Sequence, residues 1–181
     1  GNIQKIIIKT AISHLYFESI HPFEDGNGRI GRALIEKCLS ESLEKPILMA
    51  ISTAIEKNKK QYYAELKNAQ NTLEITDWIV YFSKMLLESQ KISIDIITFS
   101  IKKTHFFDRF KNKLNSRQQK AINKMFDTET ENFIGGMTAK KYISINKTSK
   151  AIATRDLQYL AKIGALQQQG EGRNVHYLLK V

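Results

Sequence analysis

The chain is poor in the residues that interrupt or cross-link a fold. It holds only 2 prolines in 181 residues, and with 42% hydrophobic residues an extended disordered region is excluded. Cys38 is the only cysteine, so no internal disulfide can form. It falls on an apolar helix position and is read as core, which is consistent with a reducing, cytoplasmic setting. No apolar run approaches a membrane span, so no membrane partner is expected. No signal peptide is visible, and the chain starts at Gly1 rather than Met, so a piece of a longer protein is expected. Acidic residues are scarce in one part only. Residues 1–110 carry 15 Lys+Arg against 13 Asp+Glu, whereas residues 111–181 carry 13 against 5. Nearly all of the +10 net charge therefore lies in the C-terminal part, which points to two domains and to an anionic partner for the second.

What is present is concentrated in one run, His21-Pro-Phe-Glu-Asp-Gly-Asn-Gly-Arg-Ile-Gly-Arg32. Histidine titrates near neutrality, so His21 is suited to take a proton from an attacking hydroxyl. Pro22 disfavours helix at the residue before it, so a preceding helix should end at His21. Asp25 is a hard oxygen ligand of the kind that holds Mg²⁺ jointly with substrate phosphates. Gly26 and Gly28 let a ligand approach the backbone. A helix starts near Gly28, and free N–H groups at such a start attract phosphate. Arg29 and Arg32 share a face of that helix, and their planar forks match phosphate oxygens. Phe23 is expected to anchor the loop to the core. A turn with Gly-Asn-Gly could be structural alone, but base, metal ligand, backbone cradle and clamps within twelve residues read as an active site for a phosphate-bearing substrate.

This run resembles the Fic (Fido) signature, histidine-x-Phe-x-Asp/Glu-Gly-Asn-Gly-Arg-x-x-Arg, at every fixed position. The resemblance implies a protein adenylyltransferase that moves AMP from ATP to a Ser, Thr or Tyr hydroxyl of a target protein. It implies His21 as general base and Asp25 as Mg²⁺ ligand. Gly26, Asn27 and Gly28 would form the anion hole, and Arg29 and Arg32 would bind nucleotide phosphates. Tyr62-Tyr63 resembles a Tyr-Tyr element that lines the nucleotide pocket in many relatives, and Gln70 stands where some place an adenine-contacting asparagine. Relatives carry a target-docking flap and further helices before the signature, and many carry an inhibitory helix. Here about twenty residues precede it, so weak or no transfer is expected of this chain alone.

The rest reads as a mainly α fold: a Fic-type helical bundle over residues 1–90, a linker helix over 91–114 and a winged helix-turn-helix over 115–181. Apolar residues wrap much of 3–19, so a central, largely buried helix is expected there. His14 within it is read as packed rather than as a ligand. Helices are expected over 29–43, from Pro46 to about Lys57, over 59–70 and over 77–90. Lys57, Lys59 and Lys60 read as a solvated surface. In the third part Ser116 is expected to cap a helix to Phe126, followed by a polar loop from Asp127 to Asn132. A short helix covers 138–144, a second covers Ser149–Ile163 with Gly164 as its stop, and 165–169 and 175–179 pair as a small β-hairpin wing around 170–174.

The pattern from Ala153 to Leu160 and Gly170-Glu-Gly-Arg173 resembles the winged-helix modules that often end Fic proteins. If that module binds DNA, the helix from Ser149 enters the major groove, with Ser149, Lys150 and Thr154 as contacts and Arg173 on the wing near phosphate. Arg155 is less clear, because Asp156 and its neighbours could hold it structurally. A protein-contact or homodimer role is the competing reading of this part. The competing reading of the whole is a DNA-binding regulator with a structural Fic remnant.

Overall fold

The computed structural model describes residues 2–127 and 135–180, without the side chain of Arg173. The described residues form eight α-helices and one antiparallel pair of strands, a mainly α fold with a small hairpin. They divide into two compact units, residues 1–98 and 99–181.

The first unit contains α1 (Asn2–Ile20), α2 (Asn27–Leu43), α3 (Ile51–Lys57), α4 (Lys59–Gln70) and the first two-thirds of α5 (Thr76–Phe110). Its core gathers Ile6, Ala11 and Leu15 of α1, Ile35 and Leu39 of α2, Tyr62 and Leu66 of α4, and Trp78, Phe82 and Met85 of α5. Trp78 is 1% exposed, and its indole N–H donates to the Ala11 carbonyl at 3.0 Å, which pins α5 against α1. The α1 helix is less buried than its apolar content predicts: Ile3, Ile8, Tyr16 and Ile20 are exposed. Its buried stripe is the one containing Thr10, His14 and Leu15. Cys38 is only half-buried. Pro46 does not open a helix. Residues 46–50 are irregular, tied down by the Ile47 N–H to Ser40 Oγ and the Ala50 N–H to Ser93 Oγ, and the helix starts at Ile51. The two helices expected over 77–90 and 91–114 are one, α5, because no residue between them breaks the ladder.

The second unit packs α6 (Ser116–Asp127), α7 (Ala139–Asn146) and α8 (Lys150–Lys162) with β1 (Leu166–Gln169) and β2 (His176–Leu179). Phe106, Phe110, Ile122, Phe126, Tyr142, Leu157 and Leu160 form its core. Leu166 pairs with Leu179 and Gln169 with His176 in the hairpin. Gly164, at φ 77°, turns the chain from α8 toward β1. Asn115, not Ser116, caps α6: its Oδ1 accepts from the Gln118 N–H and its own N–H donates to Gln118 Oε1, both at 2.9 Å. Of the expected polar loop, Asp127 closes α6, and residues 128–132 lie outside the described residues.

Candidate active site

The site is the junction between the end of α1 and the start of α2. Pro22 stops α1 as expected, and His21 adopts φ 48°, a left-handed value that histidine tolerates better than most residues. Its N–H still donates to the Phe17 carbonyl at 3.0 Å, so the imidazole rides on the last turn of a nineteen-residue helix and is exposed to solvent. Gly26 precedes α2 at φ 88°, where a side chain would be strained. The first intrahelical bond runs from the Ile30 N–H to the Gly26 carbonyl at 3.0 Å. The N–H groups of Asn27, Gly28 and Arg29 therefore precede the ladder, and the first turn carries no acidic residue to compete for them. This is the geometry of an anion cradle at a helix N-terminus.

Asn27 gives its side chain to a different task. Its Oδ1 accepts from the Phe23 N–H at 3.1 Å and its amide donates to the Phe23 carbonyl, so the 3%-exposed side chain staples the loop closed. Phe23 itself is 48% exposed, with its ring 6.3 Å from that of Phe17, whereas the Asn27 side chain is bonded to both backbone groups of Phe23.

Asp25 is 92% exposed as a side chain. Its Oδ1 accepts the Gly26 N–H and its Oδ2 pairs with Arg29 at 3.2 Å. Such an exposed pair contributes little stability, so both partners are available for exchange with a ligand. Arg32 is half-buried, and a methyl group placed on Gly28 would lie 3.3 Å from its guanidinium. Arg29 and Arg32 line a concavity of about 240 Å³ together with Ala33, Glu36, Met49 and Ser52.

Behind this front lies a buried layer. His14 is 1% exposed; its Nδ1 is 3.2 Å from the Gly31 carbonyl and its Nε2 is 2.8 Å from the Tyr62 hydroxyl. A carbonyl only accepts, so Nδ1 carries the proton and Nε2 accepts from Tyr62. Burial lowers the His14 pKa to about 4, with the Arg32 charge adding to the effect against the Gly31 hydrogen bond, so the ring is neutral at neutral pH. It stacks on Trp78 with ring centroids 6.2 Å apart. Burial also pushes the Tyr62 hydroxyl far above its usual range. Of the two tyrosines, Tyr62 thus belongs to the core and Tyr63 is 55% exposed.

Sequence reasoning passed over Glu18 and Gly31. Glu18 Oε1 is buried without a hydrogen-bond partner, and a Cβ on Gly31 would fall 2.1 Å from it. The signal was available in the spacing: His14, Glu18 and His21 follow at i, i+4 and i+7 and so share a helix face.

In the second unit Ser149 caps α8, accepting from the Ile152 N–H at 3.4 Å. Lys150 is exposed and Thr154 half-buried, and Arg173 lies on a short 3-10 turn with its side chain outside the described residues. Asp156 is held by Arg117, Tyr142 and Gln118, not by Arg155. Arg155 is exposed and lines, with Lys113 and Arg117, a basic concavity of about 370 Å³.

Residues 2–39, which contain α1, the loop and most of α2, match the Fic/DOC family. The chain is 23% identical over 166 residues to a probable protein adenylyltransferase of Aquifex aeolicus, covering 92% of this chain and 47% of that protein. It is 33% identical over 78 residues to the protein adenylyltransferase fic-1 of Caenorhabditis elegans and to that of Caenorhabditis briggsae, covering 43% of this chain and 14% of each. The chain thus spans about half the length of the first of these relatives and less of the others.

Proposed function

We propose that the whole protein transfers AMP from ATP to a hydroxyl side chain of a target protein, a reading supported by the match of residues 2–39 to the Fic/DOC family. The observation that supports this best is the exposed His21 imidazole, set at the end of one helix beside the open N–H groups and arginines of the next. In the reaction a Ser, Thr or Tyr hydroxyl attacks the α-phosphorus of ATP. His21 removes the hydroxyl proton, the new O–P bond forms, and the bond to the β-phosphate oxygen breaks to release pyrophosphate. The N–H groups of Asn27, Gly28 and Arg29 receive the β-phosphate charge, and Arg29 and Arg32 clamp the phosphates in line. Asp25, an exposed carboxylate, would suit Mg²⁺ held jointly with the substrate phosphates. That ion would neutralise charge on the phosphates.

Tyr63, exposed beside Tyr62, is the better placed of the pair to meet the nucleotide. Weak or no transfer is expected of this chain alone, which spans about half the length of the Aquifex aeolicus relative. Residues 1–90 would then be the C-terminal part of the catalytic domain, 91–114 a linker and 115–181 a winged helix. No helix among the described residues is long and apolar enough to cross a membrane.

The test is transfer of α-labelled AMP from MgATP to protein by the parent polypeptide. His21→Ala lowers it by a factor of at least about 10³ while leaving MgATP bound, as expected for loss of a general base together with its positioning. Undiminished transfer would reject His21 as the base.

A second reading concerns the C-terminal unit alone. The exposed Lys150, the basic concavity at Lys113, Arg117 and Arg155, and the excess of 13 Lys+Arg over 5 Asp+Glu in residues 111–181 favour a DNA backbone as its partner. Homodimerisation through this unit is the competing use.

A further inference from the structure

Glu18 has no use in the chemistry above, yet it is the residue whose placement is hardest to explain by packing. Its Oε1 is buried and makes no hydrogen bond. An unpaired buried carboxylate oxygen is unfavourable, and a fold does not need one here. The space that admits it is made by Gly31: any side chain at that position would meet Oε1 at 2.1 Å and His14 Cε1 at 3.1 Å. The carboxylate therefore lies against α2 at Gly31, the residue before Arg32, and about one helical turn before His21 in sequence. The groups that face it are His14 and His21 from α1 and its end, Arg32 from α2 and Tyr62 from α4. His14 is neutral and already satisfied on both nitrogens. The groups left to answer the carboxylate charge are His21 and Arg32.

We propose that Glu18 is a positioning residue of the transfer site: its carboxylate draws the Arg32 guanidinium toward the phosphate cradle and supports the positive charge that His21 acquires on taking the hydroxyl proton. This inference rests on the adenylyl-transfer reading of the site. A carboxylate that holds a histidine in orientation and stabilises its imidazolium is a recurrent device of proton-transfer sites. Here it acts through space from the adjoining turn. The electrostatics run the same way. Burial raises the Glu18 pKa, and the charges of His21 and Arg32 oppose that rise. Such coupling is reciprocal, so whatever His21 and Arg32 do for the carboxylate, the carboxylate does for them.

The experiment is a carbon-detected NMR titration of the glutamate side chains in the full chain, for the wild type, His21→Asn and Arg32→Ala. Asparagine tolerates the left-handed backbone at position 21, so the first variant keeps the turn. Glu18 is expected to titrate above the ordinary glutamate range in the wild type and to move up further, by about half a pH unit or more, in each variant. A Glu18 midpoint unchanged in both folded variants would overturn the proposal. Glu18→Gln provides the second measurement. It keeps the shape and removes the charge, so its melting temperature is expected to equal or exceed that of the wild type. A fall of more than about 5 °C would make Glu18 a structural prop and overturn the proposal as well. Binding of MgATP to the wild-type chain reports separately on the functional reading. A chain that shows the Glu18 displacements but binds no MgATP keeps the electrostatic linkage and refutes the nucleotide site.

Discussion

At the scale of single residues, His14 and His21 show how one residue type acquires opposite roles seven positions apart. His21 directly follows its helix and is open to water. His14 is enclosed, neutral and bonded at both nitrogens. Its pKa of about 4 lies below its unfolded value of 6.5, so the unfolded chain binds more protons between those limits. Stability from this group is therefore complete above about pH 6.5 and is lost as pH falls toward about 4. The loss is on the order of 3 kcal/mol, from 1.36 kcal/mol per pH unit. Thermal denaturation followed across this range should show an acid-side fall that is much reduced in His14→Asn, which has no titrating ring. A wild-type curve flat between pH 4 and 6.5 would contradict the tautomer and the burial assigned here.

At the scale of elements, helix ends carry most of the information. The end of α1 and the start of α2 form the site, and Asn27 holds them together by binding both backbone groups of Phe23. In the second unit the Asn115–Gln118 box satisfies the first turn of α6. Asn115→Ala should lower stability by about 1 kcal/mol, seen as a lower denaturation midpoint in urea with an unchanged slope. Ser116→Ala, at the position expected from sequence to be the cap, should change it little. Reversal of these two effects would return the cap to Ser116. The misplacement has a simple cause: Asn115 and Ser116 are both good caps, and only the backbone path decides which side chain meets an N–H. Pro46 misled for the same reason. Proline suits a first helical turn, but Ser40 and Ser93 hold the segment after it in an irregular path.

At the scale of the whole molecule, charge separates the two units. The N-terminal part is almost balanced and the C-terminal part strongly basic. If the second unit contacts a phosphate backbone, DNA affinity of the full chain should fall at least about tenfold between roughly 50 and 200 mM salt. Lys150→Ala should reduce the slope of log affinity against log salt by about one without changing sequence preference. Fluorescence anisotropy with a labelled duplex measures both. Absence of salt-sensitive binding at low ionic strength would leave a protein contact as the role of this unit.

The linear sequence was enough to reveal the signature, because its chemistry is contiguous: a base, a turn and a cradle that need only one helix end and one helix start to face the same way. It also determined the helical class and the small hairpin, since apolar periodicity and glycine stops act locally. What required the tertiary structure were the relations between distant segments. Tyr62 sits in the core, where His14, forty-eight positions earlier, accepts from its hydroxyl. Gly31 matters because Glu18 from another helix lies against it. Asp156 of α8 pairs with Arg117, thirty-nine positions earlier on α6. Hydrogen bonds and burial depend on which groups meet in space, and no local pattern records that meeting.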